Sequence, residues 1–412
     1  MSQSVHHLSL KYINRRLALH SDRPRIVAHS TGSAAEQGSQ LKAWRHNKLI
    51  LWLDDRMIKT KSTGPTKIGF LLVPEFSMLA FSSLLEPLRM ANQLSGEHHY
   101  EWVTIASTRD AVDASNGIPF TPDYSIQDAP QLDALFVCSG NLIQHNADSE
   151  TISWLRMLSK RDMTLGAVCT GAYLLAKADA LDGHRCTIHW ENMASAREEY
   201  PHLVISPELF EIDEQRYTSA GGIAPLDMIL HEIRDAHGSD LACAITEQFM
   251  CDRIRDKHDR QKVPLTQRIG TNQPKLAEAV SLMEANIEEP MTLDELSHHV
   301  GLSRRQLERL YQRYLQCVPT RYYLELRLER ARQLLLQTSM PIVDIALACG
   351  FISAPHFSKC YRDTFGLPPR DERRRAAGQV EASKAARKTS TLRRTTVCSA
   401  SAPFATTAPP PA

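Results

Sequence analysis

Two stretches of this 412-residue chain follow one plan at a fixed offset. The first is TLDELSHHVGLSRRQLERLYQRYLQCVP and the second is PIVDIALACGFISAPHFSKCYRDTFGLPP. Each joins a short amphipathic helical pattern to a longer one across a glycine, Gly301 or Gly350, 49 residues apart. Two helices joined by a tight glycine turn form a helix-turn-helix. Leu293, Leu296 and Val300 in one unit, and Ile342, Ile345 and Ala346 in the other, form the stripe to be buried against the second helix. Between the units lies TRYYLELRLERARQLLLQT, a helical pattern of about 19 residues and so about 28 Å long. An all-α domain with two helix-turn-helix units is therefore expected over 273–375.

A first helix packed on the second leaves the second helix's outer face free, a shape that fits a DNA major groove. The exposed candidates are Ser303, Arg304, Arg305, Gln306 and Arg309 in the first unit, and Ser353, Ala354, His356, Lys359 and Arg362 in the second. Arginine can hold guanine in a bidentate fashion, and serine or backbone N–H groups at a helix start can hold phosphate. One turn of B-DNA is about 34 Å, so one chain can reach two successive groove faces. Phe351, Phe357, Phe365, Leu302 and Leu307 read as core, and His298 and His299 as exposed residues of the first helix.

The net charge of +1 conceals a segregation that supports this split. Residues 1–66 carry 11 Lys and Arg against 4 Asp and Glu, residues 67–260 carry 15 against 29, and residues 261–412 carry 22 against 14. A basic C-terminal part suits a polyanion and an acidic middle suits another task. The 42% hydrophobic and 23% charged composition is ordinary globular usage, and no run of 18 apolar residues suggests a membrane span. Nine cysteines without a CxxC pair argue for a reducing, cytoplasmic compartment rather than a disulfide frame or a zinc site, and no cofactor is called for.

The middle of the chain alternates strand and helix patterns. KIGFLLV, EWVTIAS, LDALFVCSG and TLGAVC read as strands, with CTIHW, LVIS, LFEID and RYTSA as shorter strand-like pieces. Helical patterns cover about 77–94, interrupted at Pro87, then TISWLRMLSKRD and GIAPLDMILHEIRDAHG, which closes the pattern and is followed by DLACAITEQFM. Such alternation predicts a parallel sheet covered on both faces, an α/β flavodoxin-like domain over 67–252. Residues 253–272 are polar and read as a linker. Residues 1–66 read as a disordered extension and 376–412 as a disordered tail. Met57 is a candidate translation start, in which case residues 1–56 are not made.

GAVCTGAYLLA places Cys169 at a strand-to-helix corner, a nucleophile-elbow arrangement in which the following helix start should lower the thiol pKa. A base and a carboxylate are needed beside such a thiol. His189 on CTIHW and Glu86 on the first helix are the candidates, and His189-Trp190-Glu191 has a His-x-Glu spacing. Packing roles compete: a buried Cys at a strand end, a core histidine, a glutamate capping a broken helix.

The A-x-x-x-G-F turn, the HFSKCYR helix and the FGLPP exit resemble the AraC/XylS family of transcription regulators over about 100 residues. The usual Pro-x-x-Tyr-Arg continuation is replaced by Pro369-Arg-Asp-Glu-Arg373. Residues 67 to about 250 resemble the class I glutamine amidotransferase-like, PfpI-type superfamily, and the order of the two domains resembles GlxA-type regulators. That resemblance implies Cys169 as the elbow residue and Glu86 as the helix-borne acid. Ala167 stands where amidotransferases carry the first glycine of G-x-C-x-G, and no His-x-Glu lies near the domain's end, so the elbow reads as a non-catalytic relic or a ligand-pocket residue. EPLRMAN and SAGGIAPLDMILHEI resemble regulators of quaternary-amine or arginine catabolism. The implied partners are an operator in double-stranded DNA, RNA polymerase, a second copy of the chain, and an effector of the glycine betaine, dimethylglycine, carnitine or arginine class. The implied pocket uses Glu86, Cys169, Thr170, His189, Trp190 and Phe76, with Phe81 and Tyr173 nearby. The resulting expectation is a bacterial, nucleoid-associated, ligand-controlled activator. A cysteine hydrolase with an appended nucleic-acid domain, or a thiol redox sensor, remain the alternatives.

Overall fold

The computed structural model describes residues 58, 64–146, 148–161, 163–262, 273–378 and 381–382. Seven strands form one sheet, in the order β10 (Phe210–Asp213), β11 (Arg216–Ser219), β7 (Thr164–Val168), β6 (Ala134–Cys138), β1 (Thr66–Leu72), β2 (Tyr100–Ala106) and β5 (Tyr124–Ser125). Its centre is β1, β2, β6 and β7, all parallel. These strands are apolar along nearly their whole length because both faces are covered. β5 continues the parallel pairing at one edge. At the other, β11 is parallel to β7 while β10 is antiparallel to β11. β3 (Val112–Asp113) and β4 (Pro119–Phe120) form a small hairpin, and β8 (Arg185–Cys186) pairs with β9 (Val204–Ile205).

One face of the sheet is packed by α1 (Met78–Ser95), α6 (Ala224–His237) and α7 (Ser239–Gln248). The other is packed by α3 (Ser149–Ser159) and α4 (Ala172–Lys177), with α2 (Ile143–Asn146) beside them. Local signals fix the helix ends. The Ser77 hydroxyl accepts the Ala80 N–H, Gly96 closes α1 at φ 72°, and the Asp148 carboxylate accepts the Thr151 N–H. α1 runs unbroken through Pro87, contrary to the expected interruption; Pro87 and its neighbours Leu84 and Leu88 are buried on the sheet, and that packing carries the helix past one missing bond.

Much of the expected extension, linker and tail lies outside the described residues. Two boundaries differ where they can be followed. Ile58, within the expected extension, is buried in the α/β core and its N–H donates to Glu232 at 2.9 Å. Residues 253–262, read as linker, are bonded to the α/β domain: Arg255 pairs with buried Asp227 at 2.6 Å and the Leu209 N–H donates to the Lys257 carbonyl at 2.8 Å.

Glu232 also accepts from the Tyr217 hydroxyl at 2.9 Å, and burial raises its pKa from an ordinary 4.5 to about 7. The fold therefore disfavours the ionised carboxylate. This group's contribution to stability is full below about pH 4.5 and is lost as pH climbs through the folded value near 7, on the order of 3 kcal/mol in all. Glu232→Gln is expected to remove most of that fall, checked by comparing the unfolding midpoints of variant and wild type from pH 4.5 to pH 8; parallel curves would contradict it.

The C-terminal helices are α8 (Pro274–Ala285), α9 (Leu293–His299), α10 (Arg304–Leu315), α11 (Pro319–Gln337), α12 (Ile342–Ala348) and α13 (Ala354–Phe365), with a further helical run over 369–378. α9 and α10 form the first helix-turn-helix and α12 and α13 the second. α11 belongs to both cores, with Tyr323 in the first and Leu328, Ala331, Leu334 and Leu335 in the second. Arg327 of α11 donates to the Cys349 and Gly350 carbonyls at 2.8 and 2.6 Å and lies over the Phe351 ring at 4.2 Å. The atypical exit is used: Glu372 accepts from Tyr361 at 2.6 Å and pairs with Arg332 at 2.8 Å.

Candidate functional site

The site in the α/β domain is built at the C-terminal ends of parallel strands, where open sheets of this kind place their ligands. Cys169 leaves β7 at φ 60°, in the left-handed region that a non-glycine residue occupies only when its surroundings hold it there. Three contacts do so. The Cys169 N–H donates to the Ser219 carbonyl at 3.0 Å, its own carbonyl accepts the His189 N–H at 3.2 Å, and Gly221 lies so close that a methyl group there would sit 2.8 Å from the cysteine Cβ. Next to it, the buried Thr170 hydroxyl donates to the Gly140 carbonyl at 2.7 Å and lies 3.1 Å from the Ser139 hydroxyl.

The chemistry differs from an activated thiol. Burial pushes the Cys169 pKa up to about 11; the Thr170 N–H opposes that push and the Glu191 carboxylate adds to it. The expected lowering by the following helix fails because α4 has six residues and desolvation outweighs its first N–H groups. Burial lowers the His189 pKa, partly opposed by Glu191, whose carboxylate lies 3.9 Å from Nδ1. At neutral pH the sulfur is a thiol and the ring is neutral. No hydrogen bond joins the Cys169 sulfur to the His189 ring. His189 itself lies beyond β8, which ends at Cys186, rather than on a five-residue strand.

Other expected pocket residues are engaged within the domain itself. Glu86 bonds to Arg89 at 2.7 Å on its own helix. It lies nine residues past the Ser77 cap at the strand ends, about 13 Å along α1 and away from the thiol. Phe76 is fully buried in edge-on contact with Phe81 and Phe120. Tyr173 is spent on Glu199, to which its hydroxyl donates at 2.8 Å. The residues that gather are Cys169, Thr170, His189, Trp190 and Glu191, with Ser139 and Ser219 at their side. Sequence reasoning passed over both serines, although each follows the apolar part of a strand, in CSG and TSAGG, where a parallel sheet opens its ligand crevice. The Ser219 hydroxyl is buried and lacks a hydrogen-bond partner among the described residues.

This segment leads directly into α5 (Met193–Glu199), which packs on α11. Ala194 is buried within the second helix-turn-helix core, and the Ser195 hydroxyl donates to Gln337 at 2.7 Å.

In the helical domain, Ser303, Arg304, Arg305, Gln306, Arg309, Ser353, His356, Lys359 and Arg362 are exposed and Ala354 is half-buried. Leu307 and Tyr311, and Phe357 and Tyr361, anchor the opposite faces. Ser303 and Gln306 form a capping box, and Ser353 caps α13. Arg304 is paired with Glu308 at 3.1 Å, whereas Arg305, Arg309 and Lys359 have no ion-pair partner among the described residues.

A flavodoxin-like α/β domain joined to paired helix-turn-helix units defines a two-domain DNA-binding regulator. Residues 66–234 match the DJ-1/PfpI family and residues 296–375 match the Helix-turn-helix domain family. The chain is 52% identical over 316 residues to the HTH-type transcriptional regulator GbdR of Pseudomonas aeruginosa (strain UCBPP-PA14), spanning 77% of this chain and 86% of that protein. It is 41% identical to the regulator CdhR of Pseudomonas aeruginosa PAO1, over 74% and 90% of the two chains. It is 34% identical to the regulator GlxA of Rhizobium meliloti (strain 1021), over 76% and 98%. The chain belongs to the AraC-type transcriptional regulators that carry an N-terminal DJ-1/PfpI domain. Among the described residues no helix is long and apolar enough to cross a membrane.

Proposed function

We propose that residues 67–252 sense a small quaternary amine or amino-acid-like metabolite and that residues 273–375 read the operator of a catabolic operon as an activator. The observation that carries this reading is the continuity of His189-Trp190-Glu191, beside a protonated thiol, with the helix that packs on α11. A ligand held by that segment acts on the reader through α5. A quaternary ammonium has no N–H to donate and is held by an aromatic face and a carboxylate. Trp190 and Glu191 supply both, so Glu191 takes the part first assigned to Glu86. The orphan Ser219 hydroxyl suits the ligand's own carboxylate. Cys169 acts as a pocket residue and not as a nucleophile. The regulator works as a homodimer and meets RNA polymerase at its promoter, with Arg305, Arg309 and Lys359 facing DNA.

The test is thermal unfolding against betaines, carnitine, methylated glycines and basic amino acids. A ligand specific to the folded state adds about 2.7 kcal/mol at a hundredfold excess over Kd. One selective upward shift is expected; a flat panel would remove the small-amine assignment. Cys169→Ala is expected to keep operator binding and to alter only the ligand response, whereas loss of a measurable hydrolytic turnover in that variant would overturn the non-catalytic reading.

A further inference from the structure

The Trp190 ring already carries a cation. The Lys262 ammonium lies 4.3 Å from the ring centroid. It is held there by the chain that precedes it. The Leu209 N–H donates to the Lys257 carbonyl at 2.8 Å, and Glu208 and Arg260 form an isolated antiparallel bridge. The Gln261 amide then donates to the Glu208 carbonyl at 2.8 Å, the Thr187 hydroxyl at 3.0 Å and the Ile188 carbonyl at 3.2 Å. Gln261 thus clips its segment to the stretch that continues into His189 and Trp190. Lys262 is exposed and has no carboxylate partner among the described residues; the ring is its contact.

We infer that the Trp190 face is the cation subsite of the effector pocket and that Lys262 is its intramolecular occupant, which a quaternary ammonium ligand displaces. The inference rests on the effector reading above. The competition favours the ligand on chemical grounds. A lysine ammonium is compact and strongly hydrated, so, exposed to water, it gains little from the half-buried ring. A trimethylammonium group is larger, more weakly hydrated and apolar at its surface, so the same ring suits it better. Displacement removes one of the contacts that hold residues 257–262 against the α/β domain.

The experiment uses the full chain with tetramethylammonium and glycine betaine as probes, titrated calorimetrically against wild type, Lys262→Gln, Lys262→Arg and Trp190→Ala. Lys262→Gln is expected to bind glycine betaine about two- to fivefold more tightly, the worth of one exposed cation–π contact. Lys262→Arg, whose guanidinium is less hydrated and stacks better on the ring, should bind glycine betaine no more tightly than wild type, and Trp190→Ala should lose binding. Amide exchange over 257–262 should quicken when wild type is saturated with probe. Unchanged affinity in Lys262→Gln, or unchanged exchange on saturation, overturns the displacement while binding that depends on Trp190 leaves the effector reading standing. No binding of either probe to wild type or Lys262→Gln overturns both.

Discussion

Gly350→Ala is expected to destabilise the helical domain by about 4 kcal/mol, and Gly301→Ala by only about 1 kcal/mol. The two glycines occupy equivalent turns, and both have left-handed φ, 72° and 68°. An alanine at either position meets the same backbone strain. They differ in what surrounds them. A Cβ on Gly350 would lie 2.6 Å from the Pro290 ring and 2.7 Å from the Ile287 carbonyl, whereas a Cβ on Gly301 meets nothing within 4 Å. Overpacking against a backbone carbonyl is not relieved by a rotamer change, so the second cost adds to the first. Chemical denaturation of the full chain, followed through its helical transition, checks the difference. Equal losses at the two sites would show that the second turn can move away from the 287–290 segment.

Replacing Arg305 and Arg309 together by alanine is expected to weaken operator binding by about a hundredfold or more, since each bidentate contact to a base edge is worth about 1–3 kcal/mol. Both side chains are exposed on α10, one turn apart, with no ion-pair partner among the described residues. Arg304 is a natural control, because its pairing with Glu308 and nearby Asp294 directs it along its own domain. Lys359→Ala should lower binding to all sequences alike, as removal of a point charge near phosphate does. Fluorescence anisotropy at fixed moderate salt, with operator and unrelated DNA, separates these effects. Wild-type affinity in the double variant and in Lys359→Ala would place the DNA face elsewhere.

The reader was legible because its signals are local. A glycine turn, a capping serine and an apolar stripe all lie within one unit, and the two copies check one another. The central strands were legible for the same reason: KIGFLLV and TLGAVC are short apolar runs that only a doubly covered sheet can use. The site was harder, since its members are brought together by packing rather than by spacing. Glu86 looked like the acid because it lies on the first helix, but helical rise carries it away from the strand ends. Glu191 was visible only as part of a spacing, and its place beside the thiol depends on where the chain turns after Cys186. The thiol pKa illustrates the same limit: a helix start is readable in sequence, and burial, which wins, is not. Lys262 sits in a polar run that reads as linker, and only Gln261's bonds to residues 74 and 53 positions away show that the run is fastened to the stretch leading into Trp190.

Arg327 has a consequence for the DNA as well as for the protein. It staples the turn of the second unit to the helix that also enters the first core, so the two recognition helices are carried on one stiff ruler. One base pair inserted between their two recognition segments turns one segment by about 34° relative to the other and moves it by about 3.4 Å. A stapled ruler cannot follow that screw motion. Operators for this regulator should therefore tolerate substitution between their two contacted segments while tolerating almost no change in length.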